Sequence, residues 1–231
     1  MRKEGFHPFA VAQAQPKMEG KFEHARFCVR FRHESTQSLR GGAPELIATG
    51  SSDGSSAATL IGGWVEFACF NGLVTGELLE EIKVRHTGDI VESYIAGAFT
   101  LLHNFDRIKE SREEMRSIEL LPQEQLIFAN SAMTLKYENP NLAPITAEQL
   151  LRPRRKEDNN GTLWSTFNKV QEHLVKGGLS GRTEKNKRTT TRPINAIQAN
   201  VGINKALWAL AEAMKRLKDP DSLAAQLAQI S

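Results

Sequence analysis

The chain has 231 residues, 40% of them hydrophobic, with 30 Lys and Arg against 27 Asp and Glu. That is enough apolar material for one sizeable core or two small ones without covalent staples. Two cysteines are too few for a disulfide framework, no window approaches the ~18 consecutive apolar residues that span a bilayer, and the start Met1-Arg2-Lys3-Glu4-Gly5 lacks the apolar stretch of a secretory signal. Membrane and export classes are therefore disfavoured and a cytoplasmic protein is expected. The net charge of +3 conceals a polarised distribution: +4 over residues 1–40, −5 over 77–124 and +5 over 176–192.

The segment Glu23–Arg32 alternates strictly between two kinds of side chain. On a pleated strand Phe27, Val29 and Phe31 fall on one side, and His24, Arg26, Cys28, Arg30 and Arg32 on the other. This predicts a strand with a wet, positive face. Alternate residues on a strand lie about 6.7 Å apart, a spacing at which Arg30 and Arg32 reach successive phosphates of an extended nucleic acid strand. The competing explanation is an ordinary half-exposed strand whose arginines only blunt an edge.

Arg40–Pro44 reads as a loop, Glu45–Thr49 as a short strand, Gly50–Ser56 as a turn and Ala57–Phe70 as a longer strand. Gly62-Gly63 predicts a bulge within that strand, Asn71-Gly72 a hairpin turn, and Ile82–Arg85 a last strand. Helices follow. Asp89 with Glu92 makes a capping pair for a helix reaching Arg116, whose stripe is Val91, Ile95, Ala98, Leu102 and Phe105. Pro122 opens a helix to Tyr137, and Thr146 with Gln149 caps Ala147–Leu151. Another helix runs from Asn160 to Lys176, stopped by Gly177-Gly178, and Pro193 opens a long one to Lys218. Residues 179–192, polar, basic and rich in threonine, read as a mobile loop. The pattern is that of an α+β protein: an antiparallel sheet packed by a long helix over residues 1–120, then an all-helical region over 121–231 carrying the basic loop.

Four groups of residues bear on chemistry. Ser52, Asp53, Gly54, Ser55 and Ser56 gather hydroxyls and backbone N–H groups in a turn that suits an oxyanion such as phosphate, although no lysine or following helix completes a phosphate-binding loop. Cys69, His86 and Asn71 are the residue types of a thiol nucleophile, its base and an orienting amide, but Cys69 sits in an apolar run that keeps a thiol inert. The six histidines are scattered without metal-ligand spacing, so neither a metal nor another cofactor is expected. Leu163-Trp164 and Leu207-Trp208 fit core positions of amphipathic helices. Arg152-Pro153-Arg154-Arg155-Lys156 packs four cations into five residues, and with Arg182–Arg192 it flanks the helix Thr162–Lys176, a layout suited to a phosphate backbone.

Several patches occur together and in order: Ser52–Ala57, Cys69-Phe70-Asn71-Gly72-Leu73, Val84-Arg85-His86-Thr87-Gly88, Leu150–Arg155, and Leu163-Trp164 with Asn168 and Gln171-Glu172. Through them nearly the whole chain resembles the proteins of "domain of unknown function 932", carried by phages, plasmids and integrative elements. Members of that family usually carry several tens of residues before the equivalent of Glu4-Gly5-Phe6. The resemblance implies a bacterial host cell but transfers no catalytic or binding residue. Its mobile-element setting points to DNA handling in replication or recombination, or to blocking a host defence system.

The resulting expectation is a non-enzymatic protein that binds DNA, preferentially single-stranded, and promotes annealing. Arg26, Arg30, Arg32, Arg154, Arg155, Arg182, Lys185, Lys187 and Arg188 would neutralise phosphates. The alternative is an anti-defence protein, of the anti-CRISPR or anti-restriction kind, docking on a host effector complex through the acidic stretch 77–124. The sequence leaves the oligomeric state open, a homo-oligomer included.

Overall fold

A computed structural model describes residues 1–13, 25–36, 42–51, 58–66, 72–74, 82–84 and 89–219. The turn 52–56 and the trio Cys69, Asn71 and His86 lie outside the described residues. The architecture is α+β, an antiparallel sheet followed by helices. Strands β1 (Phe6–Gln13), β2 (Arg26–His33), β3 (Gly42–Ser51), β4 (Ala58–Glu66) and β5 (Gly72–Val74) pair in that order, and β6 (Ile82–Val84) pairs with β4. Every pairing is antiparallel.

β1 is a strand that the sequence pattern conceals, because Pro8 interrupts it. It is an edge strand, where a proline without an N–H is tolerated, and its register against β2 shifts between Pro8 and Ala10. The bulge expected at Gly62-Gly63 is absent. The β3–β4 register runs without a shift from Gly42↔Glu66 to Thr49↔Thr59, and the two glycines instead stand opposite Leu46 and Glu45, both fully buried.

Helix α1 (Ile90–His103) starts where Asp89 accepts from the Glu92 N–H at 2.9 Å. It packs on β3, β4 and β6, and a Cβ on its Gly97 would stand 3.0 Å from Leu60 Cδ1, so the helix lies close on the sheet. The single long helix expected to Arg116 is divided: Asn104 takes a turn conformation and α2 (Phe105–Ser117) follows. The opposite face of the sheet is covered in part, since Cys28, Ile47 and Ile61 pack with Val201.

The remaining helices are α3 (Pro122–Thr134), α4 (Ala147–Leu150), α5 (Leu163–Lys176) and α6 (Ile197–Lys218). Between α5 and α6, β7 (Ser180–Arg182) and β8 (Arg188–Thr190) form a separate two-stranded hairpin. The chain packs as two compact units, one of Met1–Glu110 with Ala196–Val201, the other of Ser111–Asn195 with the described residues from Gly202 onward.

The second unit is built around α5. A surface helix keeps a polar stripe in water, yet every residue from Leu163 to Leu174 is buried. Trp164 and Phe167 stack with centroids 5.6 Å apart and meet the Trp208 ring edge-on, which places both tryptophans in the core. Several polar residues of α5 are buried with partners in hand, whereas Thr166 Oγ1 and Asn168 Oδ1 are buried without a hydrogen-bond partner among the described residues. The Gln171 amide donates to Asn204 Oδ1 at 2.7 Å, the Lys169 ammonium to Gln125 Oε1 at 3.3 Å, and Glu172 pairs with Lys176 at 3.0 Å and with Arg155 at 3.3 Å.

Candidate nucleic-acid interface

The cations that the sequence assigns to one role divide into two groups once their partners are known. In the first unit Arg30, Arg32 and Glu45 share one face of the sheet, because Arg30 pairs across β2–β3 with Ile47, two residues from Glu45. Glu45 is fully buried, and its carboxylate accepts from both arginines: Arg32 donates from Nε at 2.8 Å with its Nη2 at ion-pair distance, 2.7 Å, from the same oxygen, while Arg30 grips the other oxygen. The Arg32 guanidinium also lies 3.4 Å over the Phe9 ring. The wet, positive face expected on β2 is thus a half-buried ion cluster whose charges are engaged within the fold. Cys28, on the same face, has its thiol pushed up by burial, an effect that the Arg30 charge opposes. Arg26 alone of this set is exposed, with no ion-pair partner among the described residues.

In the second unit Arg154 and Arg155 serve α5. Arg155 pairs with Asp158 and with Glu172, both buried. Arg154 donates from Nε to His173 Nδ1 at 3.2 Å and from Nη2 to the Gly177 carbonyl at 2.6 Å. Because Nδ1 accepts, the Nε2–H of His173 is the donor to the Arg152 carbonyl at 2.9 Å, and the ring is neutral. Burial, reinforced by the Arg154 charge, holds this imidazole below its usual range.

The segment 179–192 is not the mobile loop its composition suggests. Gly177, at φ 65°, sits where a Cβ would meet the Thr191 carbonyl oxygen at 2.5 Å. The Gly178 N–H donates to the Thr191 carbonyl and the Thr191 N–H to the Leu179 carbonyl, both at 2.9 Å, so the two strands leave the body already paired. Gly181 is packed so tightly that a Cβ would stand 1.8 Å from the Pro144 carbonyl oxygen. The Arg182 N–H donates to that same oxygen at 2.9 Å, and the Gln149 amide donates to the Ser180 carbonyl at 3.0 Å. At the tip Asn186 takes the left-handed conformation, and its main-chain and side-chain oxygens accept from Arg182 Nη1 at 3.1 and 3.0 Å.

This bracing fixes where the side chains point. Strand alternation turns Gly181 and Thr189 toward the body and Ser180, Arg182, Arg188 and Thr190 outward, and these four are exposed. Together with Gly181 and Thr189 they line a shallow concavity of about 440 Å³. Arg182 and Arg188 are direct cross-strand partners. Like charges placed opposite each other destabilise a hairpin, yet Arg188, Lys185 and Lys187 have no ion-pair partner among the described residues. Residues 182–188 are exposed without interruption, and Glu184 is the one acid among them. This is a braced hairpin tip of net positive charge.

The other sites raised by the sequence fare differently. The described residues hold no group of three or more His, Cys, Asp or Glu placed to bind a metal, and no described helix is long and apolar enough to cross a membrane. The acids of α2 are partly neutralised by neighbours: Glu113 pairs with Arg112 and Arg116, and Glu114 with Lys215 at 2.8 Å.

Comparison with known proteins agrees with the resemblance read from the motifs. The family model described as "Domain of unknown function (DUF932)" matches residues 1–208. The UPF0380 protein YafZ of Escherichia coli (strain K12) is 40% identical over 214 residues, which cover 93% of this chain and 78% of the relative. The UPF0380 protein YfjQ of the same organism is 39% identical with the same coverage. No solved structure matches.

Proposed function

The chain belongs to the family of domain of unknown function 932, and from that premise, which carries no activity, we propose that it binds DNA by gripping the phosphate backbone with the β7–β8 hairpin. The observation that supports this is the uncompensated pair Arg182↔Arg188 on a hairpin fixed at its base by Pro144 and at its tip by Asn186. A polyanion relieves that repulsion and supplies the partners that Lys185, Lys187 and Arg188 lack. Phosphate contacts of this kind position a protein on nucleic acid without reading sequence, which suits a role in replication or recombination of a mobile element. Of the cations expected to meet DNA, Arg30 and Arg32 are engaged by Glu45 and Arg155 by Asp158 and Glu172, so the hairpin set Arg182, Lys185, Lys187 and Arg188 now carries the proposal. DNA mimicry by α2 draws less support, since two of its acids already have cationic partners.

The test is the affinity for labelled DNA across a salt series. Roughly four phosphate contacts, from Arg182, Lys185, Lys187 and Arg188, predict a log–log slope between about −2.8 and −3.6. Replacing Lys185, Lys187 and Arg188 together by alanine should remove most of the affinity on every sequence alike. Unchanged binding by this variant, or no binding by the parent at low salt, overturns the proposal.

A further inference from the structure

We propose that the hairpin is built for double-helical DNA and enters the major groove tip first, with Arg182, Lys185, Lys187 and Arg188 reaching phosphates at the groove walls. This inference rests on the DNA-binding reading and names the form of DNA bound.

Three observations carry it. First, the projecting part is a two-stranded ribbon. A pair of strands about 4.8 Å apart with side chains on both faces fits a groove ~12 Å wide and is excluded from one ~6 Å wide. Residues 182–188 are exposed without interruption, so the tip beyond the Pro144 contact is open to solvent. Second, the ribbon offers nothing on which unpaired bases stack. Proteins that hold single strands combine cations with aromatic platforms, whereas no Phe, Tyr or Trp occurs between Gly177 and Ala196, and Trp164 and Trp208 of this unit are buried at 6% and 0% exposure. Third, the ribbon is preorganised. Asn186 holds Arg182 by two hydrogen bonds and Pro144 fixes the base, so the outward row Ser180, Arg182, Arg188 and Thr190 presents hydroxyl and guanidinium donors in a set order. A fixed array of donors suits a rigid ligand of regular geometry better than a flexible strand.

The experiment compares the full-length protein on three labelled ligands of one sequence: duplex DNA, one of its strands alone, and the corresponding duplex RNA. The deep, narrow major groove of duplex RNA is closed to such a ribbon. Fluorescence anisotropy should show duplex DNA bound about tenfold more tightly than either alternative, with a salt slope near −3.6. The single variants Lys187→Ala and Arg188→Ala, shown to be folded by circular dichroism, should each flatten the duplex slope by about 0.9. Equal affinity for the three ligands, or a preference for the single strand, overturns groove insertion while leaving phosphate binding by the hairpin in place. Failure of all three to bind at low salt overturns both.

Discussion

Arg30 and Arg32 on β2, and Arg182 and Arg188 on the β7–β8 hairpin, are the same residue type on the same alternating backbone, yet they are employed in opposite ways. Glu45 on the adjacent strand, opposite the bare Gly63, takes up both charges of the first pair. The second pair faces itself across a hairpin that holds no acid except Glu184 at the tip. An alternating cationic strand is therefore not a binding surface in itself; what the neighbouring strand contributes decides. In the first case an acid ties the arginines into the sheet, and in the second the Arg182 side chain donates only to the neutral Asn186 and Arg188 has no ion-pair partner among the described residues.

The difference can be broken from either side. Glu45→Gln should have the largest effect, because removing one member of a buried ion cluster leaves the others uncompensated, a loss of about 3–5 kcal/mol. Urea unfolding measures it, and a loss under about 1 kcal/mol would mean that Arg30 and Arg32 turn to solvent without penalty, erasing the contrast with the hairpin. Next comes Gly181→Ala, where the added methyl must displace the Pro144 carbonyl at the hairpin base. Overpacking of this kind costs about 1–3 kcal/mol, and DNA affinity should fall with it. Unaltered affinity would show that the orientation of the hairpin does not matter to binding.

A smaller, pH-dependent effect is expected at His173. Burial holds its folded-state pKa below the ordinary value of 6.5, so the unfolded chain takes up the proton first as acid is added. Stability from this residue is complete above about pH 6.5 and declines as the pH falls below it. His173→Gln should remove that part of the pH dependence of the urea midpoint; an identical profile in the variant would assign the decline to other groups. The smallest effect on stability belongs to Arg188→Ala, within about 0.5 kcal/mol and in the stabilising direction, because a like-charge cross-strand pair is relieved. A marked loss would mean that Arg188 is a structural residue like Arg30.

Much of the fold is legible in the sequence because local signals suffice. The Asp89 and Thr146 caps, the stop at Gly177-Gly178 and the alternation of β2 all report on neighbours close along the chain. What is hidden depends on distant partners. Glu45 shows as one acid in an apolar strand, and only the register of β2 against β3 makes it the clamp on Arg30 and Arg32. The threonine-rich segment 179–192 lacks an apolar stripe, so its order comes from Pro144 and Gln149, 31 or more residues from the groups they bind, and from Arg154, which holds the Gly177 carbonyl at its base from 23 residues away. β1 is masked by Pro8, which only an edge position permits.

The burial of α5 on all sides has a consequence for how the gene tolerates change. A helix with one solvent face accepts substitution in a rhythm of 3.6 residues, so a scan of every position shows permitted sites recurring once per turn. From Leu163 to Leu174 no such site exists. A saturation library should show twelve consecutive intolerant codons, with permissive ones at the exposed Lys176 and within the hairpin tip. Sequence divergence should spare this block, whereas the exposed cations beside it are under no such packing constraint.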